Sequence, residues 1–87
     1  MYLSPGGAFE INMLLKVGAV YEHVKTGKRY KLMALAKDVH SLDELVVYEA
    51  LYQNNVGKVW VRSKEEFLGE AKSPDGSFHP RFRVVED

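Results

Sequence analysis

Apolar and polar residues alternate along several short stretches of this chain, and a two-residue period is typical of β-strands that bury one face. The clearest stretches are ELVVYEALY at residues 44–52 and KVWVR at residues 58–62, both rich in β-branched and aromatic residues. The segment QNNVG lies between them and supplies turn-forming residues. The pattern therefore predicts two strands joined by a hairpin.

Three further stretches complete the predicted sheet: AVYEHV at residues 19–24, RYKLMALAK at 29–37 and PRFRVV at 80–85. The segment KTGK between the first two is a turn in which Gly27 is free to take a positive φ. The stretch at 29–37 is apolar on both faces in its middle, so the centre of this strand is expected to be covered on both sides.

The stretch at 44–52 has one charged residue on its predicted inner face. The apolar residues expected to point inward are Leu45, Val47 and Leu51. Glu49 shares that face, where a carboxylate paired with Arg62 or Arg81 would form a structural ion pair or a ligand clamp.

A short helical turn is predicted between the fourth and the last strand. Ser63 and Glu66 have the spacing of a capping box, in which Ser63 is the N-cap. Phe67 gives the turn an apolar side, and Gly69 limits its length. The sequence thus predicts a helix or 3₁₀ turn over residues 64–70.

These elements predict a mainly β fold. Helices are too few to cover a parallel sheet, so the strands are expected to be antiparallel. A chain of 87 residues forms one domain, and a small sheet removes its exposed edges by curling. We therefore expect a small, partly open, SH3-like barrel over residues 18–87, with about five strands and a short helical turn before the last. Residues 1–17 are expected to form an N-terminal extension that contacts a partner.

The composition excludes several classes of protein. With 46% apolar and 11% aromatic residues the chain has the content of a folded domain, and without Cys it has neither a disulfide framework nor a Cys-based zinc site. No stretch approaches the roughly 20 apolar residues of a membrane span, and the start lacks the features of a signal peptide. We expect a cytoplasmic protein with no membrane partner.

Charge is balanced overall but not locally. Lys plus Arg equals Asp plus Glu, 12 against 12, which does not favour nucleic-acid binding through phosphates. Residues 16–37 nevertheless contain six bases and one acid, whereas residues 38–49 contain four acids and no base. Two interpretations follow: solvated strand faces that attract one another, or a phosphate-binding surface.

The order of several aromatic and basic residues resembles that of a family of small bacterial proteins of unknown function. The family pattern runs G-x-Y-x-H, a Tyr strand, VVYxALY, W-V-R-P, a Phe and P-R-F. Its counterparts here are Gly18, Tyr21 and His23 with one extra residue, then Tyr30, Val46 to Tyr52, Trp60 to Arg62, Phe67, and Pro80 to Phe82. The resemblance implies a bacterial, cytoplasmic domain and no established reaction, cofactor or partner.

Two features depart from that family. The family carries a His-Ser-Glu-Thr run ahead of VVYxALY, where this chain has Asp38 at the His position and His40 at the Glu position. The Pro after W-V-R is Ser63 here. A function tied to the His-Ser-Glu-Thr run is therefore not expected to carry over to this chain.

Groups for catalysis or metal binding are sparse. His23, His40 and His79 are the only His residues, and no two have the i, i+2 or i, i+4 spacing of a local metal motif. The Ser residues lack a nucleophile-elbow context, and no glycine-rich phosphate loop is present. We expect no catalytic residue, no cofactor and no metal ion.

The strongest candidate surface combines aromatic rings with arginine. Tyr48, Tyr52 and Trp60 lie on neighbouring predicted strands, and Arg62 shares the face of Trp60. Such a surface stacks a base, an aromatic side chain or a methylated cation, although the same rings fill the core of many small barrels. The candidate binding residues are Tyr21, His23, Tyr48, Glu49, Tyr52, Trp60, Arg62 and Arg81, with Tyr30 and Arg83 as further neighbours.

Three functions are consistent with these features. The leading hypothesis is a small binding module that holds a peptide, a nucleic acid or a second copy of the chain with this surface or with a strand edge. The second is a small enzyme or enzyme subunit that uses a His with Asp38 or Glu49 as acid and base. The third is a homo-oligomer joined through residues 9–17 or a strand edge, because the apolar INMLL run is costly to expose.

Overall fold

The computed structural model describes residues 15–87, which form two antiparallel sheets and one short helix. The elements are β1 (Val20–His23), β2 (Arg29–Lys37), β3 (Glu44–Ala50), β4 (Val59–Ser63), α1 (Lys64–Phe67), β5 (Glu70–Lys72), β6 (Phe78–Pro80) and β7 (Phe82–Glu86). The mainly β, antiparallel class predicted from the sequence is confirmed. Helix α1 spans a single turn, and the described residues contain no helix with the length and apolar character of a membrane span.

The larger sheet has the strand order β4-β3-β2-β1-β7, so the last strand returns beside the first. Its five strands are those that the alternation predicts. The total of about five is wrong, because β5 and β6 form a separate two-stranded sheet that brings the described chain to seven strands. Each of these two strands has only three residues, too few for a two-residue period to be visible. The sheet is not a closed barrel; β4 and β7 are its two edges.

The inner face of β3 is the opposite of the predicted one. Val46, Tyr48 and Ala50 are buried, whereas Leu45 and Val47 lie on the other face with Glu49, and Leu51 is exposed beyond the end of the strand. Both faces of this strand carry apolar residues, so alternation defines two sets without choosing between them. Packing decides in favour of the set that contains the large Tyr48 ring.

A β-bulge in the middle of strand β2 exchanges the sides of the sheet to which its alternating side chains point. Leu32 lies opposite Tyr48, but Ala34 lies opposite Val47, so Met33 is an extra residue between two regular segments. From Ala34 onward the side chains have exchanged faces. The prediction of a strand centre covered on both sides is wrong, since Met33 is 43% exposed and the residues after it are exposed as well.

The core lies between the larger sheet and helix α1 and is mainly aromatic. Phe67 from the helix stacks on Phe82 of β7, with ring centroids 4.0 Å apart and planes 7° from parallel. Tyr21 and Tyr48 contact Phe67 edge-on, with centroids 5.4 and 5.6 Å away. The buried cluster consists of Ala19, Tyr21, Leu32, Val46, Tyr48, Phe67 and Phe82. One short helix thus covers the inner face because its single apolar side chain is a large ring.

Helix α1 begins as predicted and ends earlier than predicted. The Ser63 hydroxyl accepts a hydrogen bond of 3.1 Å from the Glu66 N–H, which confirms the N-cap. The last helical residue is Phe67 rather than residue 70. Gly69 packs so closely on the end of the helix that a Cβ there would lie 3.1 Å from the Glu65 carbonyl oxygen. The chain then turns away into β5.

Only the end of the predicted N-terminal extension lies within the described residues. Leu15 packs against the core, and the Lys16 N–H donates to the Tyr21 hydroxyl at 2.9 Å. Val17 is 58% exposed. The predicted contact of residues 9–14 with a partner falls outside the described residues.

The outer side of the larger sheet has an apolar part, which we name the open face. Cross-strand pairing places six residues on it: Ala34, Ala36, Leu45, Val47, Val59 and Val61. Val59 and Val61 belong to the edge strand β4 and are each 57% exposed. Toward β1 and β7 this side becomes charged, where Glu22 pairs with Arg29 at 3.4 Å and with Arg83 at 3.2 Å.

Replacing Phe67 with Ala is expected to lower the free energy of unfolding by about 3–5 kcal/mol, because the change removes a fully buried ring and leaves a cavity under the sheet. Urea denaturation followed by Trp60 fluorescence measures the loss. Phe78→Ala is the matched control, since Phe78 is 64% exposed and its loss is expected to cost no more than about 0.5 kcal/mol. If the Ala variant does not fold, Phe67→Leu replaces it in the experiment and is expected to lose less stability. Equal stability of the Phe67 and Phe78 variants would contradict this account of the core.

Candidate functional site

A group of aromatic rings and one arginine lies at the rim of the core on the inner side of the sheet. Trp60 lies opposite Tyr48 in the pairing of β3 with β4, and Arg62 lies opposite Val46. We name this surface the aromatic–arginine face; its members are Tyr30, Tyr48, Tyr52, Trp60 and Arg62. Tyr48 is buried, and the other four are half-buried, so the face is partly core and partly accessible.

Arg62 is held in place by three neighbours. Its Nε donates to the Tyr48 hydroxyl at 3.2 Å, and one terminal nitrogen lies 3.3 Å from the Glu66 carboxylate. Its guanidinium carbon lies 5.5 Å from the centroid of the Phe82 ring, within the range of a cation–π contact. The position of the guanidinium is therefore fixed by contacts within the protein.

Tyr30 and Tyr52 form a second fixed pair on this face. Their hydroxyl groups share a hydrogen bond of 2.7 Å, and their rings meet edge-on. The ammonium of Lys28 lies 4.9 Å from the centroid of the Tyr52 ring. Burial and the hydrogen bond to Tyr52 raise the pKa of the Tyr30 hydroxyl far above its ordinary value, so the Tyr30 phenol is a neutral hydrogen-bonding group at neutral pH.

Trp60 is fixed by the turn that precedes its strand. Its indole N–H donates to the Gly57 carbonyl at 3.1 Å, and a Cβ on Gly57 would lie 3.4 Å from the indole ring. The Asn54 side chain holds the same turn by accepting from the N–H groups of Val56 and Gly57, each at 2.9 Å. The turn thus packs against one part of the indole and leaves the ring half-buried.

Basic residues surround His23 beside the aromatic–arginine face. The His23 ring meets Phe82 edge-on at 5.1 Å, and its Nδ1 lies 3.1 Å from the Thr26 hydroxyl. Burial lowers the pKa of His23, and four nearby basic groups lower it further. We name the set the basic cluster; its members are His23, Lys25, Arg62, His79 and Arg81. The cluster also borders a cavity of about 250 Å³ lined by Val24, Lys25, Lys72, Ser73, Pro74 and His79.

Several predicted site residues lie elsewhere. Tyr21 is 1% exposed and belongs to the core. Glu49 is on the outer side of the sheet and pairs with Lys58 at 3.1 Å, so the predicted pairing with Arg62 or Arg81 is wrong. The error follows from the inverted inner face of β3, because Glu49 and the buried Tyr48 necessarily point to opposite sides.

The predicted acid–base groups are not assembled. The Asp38 carboxylate accepts hydrogen bonds from the N–H groups of His40 and Ser41 in its own loop. Neither Asp38 nor Glu49 has a hydrogen bond or ion pair with a His side chain in the described part of the chain. No group of three or more His, Asp and Glu residues suited to a metal ion occurs among residues 15–87.

Sequence reasoning missed the contributions of Lys28 and Lys25, and it did not place His79, a candidate acid–base residue, beside Lys25. Lys28 is in the β1–β2 turn, where only the pairing of Tyr30 with the end of β3 brings it over Tyr52. Lys25 and His79 are far apart in sequence, and the packing of the β1–β2 turn on the β5–β6 hairpin joins them. Turn lysines and isolated His residues carry no spacing signal that identifies them in advance.

Lowering the pH from about 7 to about 5 is expected to destabilise the protein partly through His23. The folded chain binds the His23 proton less tightly than the unfolded chain, because the pKa is lowered on folding. The stability that His23 contributes is therefore complete above the pKa of an unfolded His, about 6.5. It is lost as the pH falls from there toward the lower pKa of His23 in the folded chain. His23→Gln should show a smaller acid-induced loss in urea denaturation. His40→Gln, in an exposed loop, should behave like the parent protein. Identical pH profiles for the His23 variant and the parent would contradict this role.

Comparisons with known proteins place the chain in a family without assigning it an activity. No curated protein matches the sequence at a significant level. The fold is similar to that of a crystal structure of a protein belonging to DUF1653 from Bordetella bronchiseptica, with a TM-score of 0.69 and 28% sequence identity over 79% of this chain and 86% of that one. The sequence model of that family, described as a protein of unknown function, matches residues 19–84. This chain therefore belongs to the DUF1653 family of proteins of unknown function.

Proposed function

We propose that this protein is a binding module that contacts its ligand with the aromatic–arginine face. The observation that carries the proposal is the half-burial of Tyr30, Tyr52, Trp60 and Arg62 at the margin of the core. The Tyr30 ring and the Arg62 guanidinium both contact the buried Phe82 ring there. Rings and guanidinium groups that are packed on one side and accessible on the other are typical of binding hot spots.

Pre-organisation supports the same proposal. The Tyr30 and Tyr52 hydroxyls bind each other, Arg62 is bound to Tyr48, and the Trp60 indole is bound to a turn carbonyl. Side chains that are already ordered lose little conformational entropy when a ligand binds. The resemblance noted in the sequence points to the same surface, since His23, Tyr30, Trp60, Arg62 and Arg81 are all part of that pattern.

The strand order supports an SH3-like interpretation of the module. We infer this arrangement from a meander of four strands whose fifth strand returns beside the first, with helix α1 before that return. In this interpretation the unpaired edges β4 and β7 leave the barrel open, and the aromatic–arginine face lies on its concave, inner side.

The open face favours self-association as a second candidate function. Val59 and Val61 are each 57% exposed on the edge strand β4, next to Leu45 and Val47. An edge strand with apolar residues on one side and unpaired backbone groups is suited to pair with another copy of itself. This surface is separate from the aromatic–arginine face, because the two lie on opposite sides of the sheet.

Fragment binding followed by nitrogen–proton NMR of the full chain tests the binding module. With phosphate, acetate, guanidinium and indole as probes, we expect the largest shifts at the Trp60 indole N–H and in strand β4. Tyr52→Leu removes an accessible ring and should weaken the binding of responding probes about tenfold. Phe78→Leu, the matched control on the β5–β6 hairpin, should leave binding unchanged. Shifts confined to residues away from the face would contradict the proposal.

Light scattering coupled to gel filtration tests self-association. We expect the parent protein to have the mass of a dimer and Val61→Lys to have that of a monomer, because a charge on the open face is costly to bury in an interface. Val39→Lys is the matched control, since Val39 is 81% exposed in the β2–β3 loop. A monomeric parent protein, or a dimer that persists in the Val61 variant, would contradict self-association through this edge.

A further inference from the structure

The basic cluster brings together five side chains from three separate stretches of the chain, at residues 23–25, 62 and 79–81. His23 comes from the end of β1, Lys25 from the β1–β2 turn, and Arg62 from β4. His79 belongs to β6, and Arg81 is the single residue between β6 and β7. Phe82 links two of these members, because both the His23 ring and the Arg62 guanidinium contact it.

Backbone contacts fix the geometry of the cluster. The Val24 N–H donates to the Arg81 carbonyl at 3.0 Å, which holds the β1–β2 turn against the link between β6 and β7. The Arg81 side chain donates one hydrogen bond of 2.8 Å to the Glu66 carbonyl, at the end of helix α1. Its other N–H groups have no partner within residues 15–87, so this guanidinium has donors to offer a ligand.

The cluster is only partly neutralised by acidic groups. The Glu66 carboxylate pairs with Arg62 and is 54% exposed, and Asp75, bound to Ser77, lies near His79. Lys25 and Arg81 have no ion pair in the described part of the chain. The outer side of the sheet differs, because ion pairs there occupy Glu22 with two arginines and Glu49 with Lys58. Like charges that are held together and only partly neutralised favour a bound anion.

Overall neutrality does not oppose anion binding at this place. At physiological ionic strength the field of an exposed charge is screened within about 8 Å, so a ligand responds to the local charges. The carboxylates of Glu22, Glu44 and Glu49 are already paired with cations of their own. The zero net charge of the chain is therefore the sum of surfaces whose local charges differ strongly.

We propose that the basic cluster binds the phosphate of a nucleotide and that the adjacent aromatic–arginine face receives the base. Guanidinium groups match the tetrahedral phosphate through parallel N–H donors, and they do so better than ammonium groups. The half-buried rings of Tyr30, Tyr52 and Trp60 belong to the same face as Arg62, and aromatic rings are the side chains on which bases stack. The inference rests on the proposed binding function and specifies its ligand. The nucleotide is either free or a unit of a single strand.

Binding of a phosphate has a distinct signature at His23. An anion favours the protonated imidazole, so the pKa of His23, which is lowered in the free protein, should rise when the ligand binds. The groups that face His23 are Lys25 and Thr26 from the turn, Arg62 from β4, and His79 and Arg81 from the other side. Because His79 is a second imidazole in the same cluster, the imidazole signals of the two histidines must be assigned separately.

The test titrates the full chain with inorganic phosphate, adenosine monophosphate and a single-stranded oligothymidylate, using NMR of the His23 imidazole and the Trp60 indole. We expect all three probes to raise the pKa of His23, and the two nucleotides to shift the Trp60 signal as well. Lys25→Gln and Arg81→Gln should each weaken binding about tenfold. Lys31→Gln makes the same charge change on the outer side of the sheet and should have no such effect.

The salt dependence distinguishes the two sources of the nucleotide. Binding to a single strand should be tighter than to the mononucleotide and should fall with salt, with a slope of about −0.7 for each phosphate contacted. If the oligothymidylate and adenosine monophosphate bind with equal affinity per phosphate, the ligand is a free nucleotide instead. If a Glu-rich peptide shifts Trp60 and His23 while the phosphate probes do not, the binding module stands but its nucleotide ligand is overturned. If no probe shifts either residue, both proposals fail. Binding that Lys25→Gln and Arg81→Gln leave unchanged also overturns this inference.

Discussion

The stacking of Phe67 on Phe82 is the contact on which the rest of this structure depends. It joins helix α1 to strand β7, and β7 is the strand that returns beside β1 to complete the sheet. A helix of four residues has little surface of its own, so a single large ring provides most of its attachment to the sheet. The cap at Ser63 sets where that helix begins and hence where the Phe67 ring enters the core.

The same aromatic core determines what the protein presents to its surroundings. A core this small cannot bury every ring completely, and the outer members therefore show an edge or a hydroxyl group at the rim. Tyr30, Tyr52 and Trp60 are such rim residues, and each is held by a hydrogen bond that leaves part of the ring accessible. The candidate binding face is thus the margin of the core and shares its rigidity.

The distribution of charge follows from how the turns pack on this core. The β1–β2 turn and the β6–β7 link meet at the hydrogen bond between Val24 and Arg81, and basic residues from both are brought to His23. Repulsion within the cluster costs some stability, and it is tolerated because Glu66 offsets part of the charge and solvent screens the rest.

Local signals in the sequence determined the strands of the larger sheet, the turn at Gly27 and the cap at Ser63, because alternation, positive φ and capping all act between near neighbours along the chain. They also identified Trp60 and Arg62 as members of one face. Only the tertiary structure decided which face of β3 is buried, where the bulge at Met33 reverses β2, and which cation each carboxylate meets. Those outcomes depend on how whole faces of the sheet pack against the core and on contacts between turns that are distant in sequence. A two-residue period is the same whichever side of the strand faces the core.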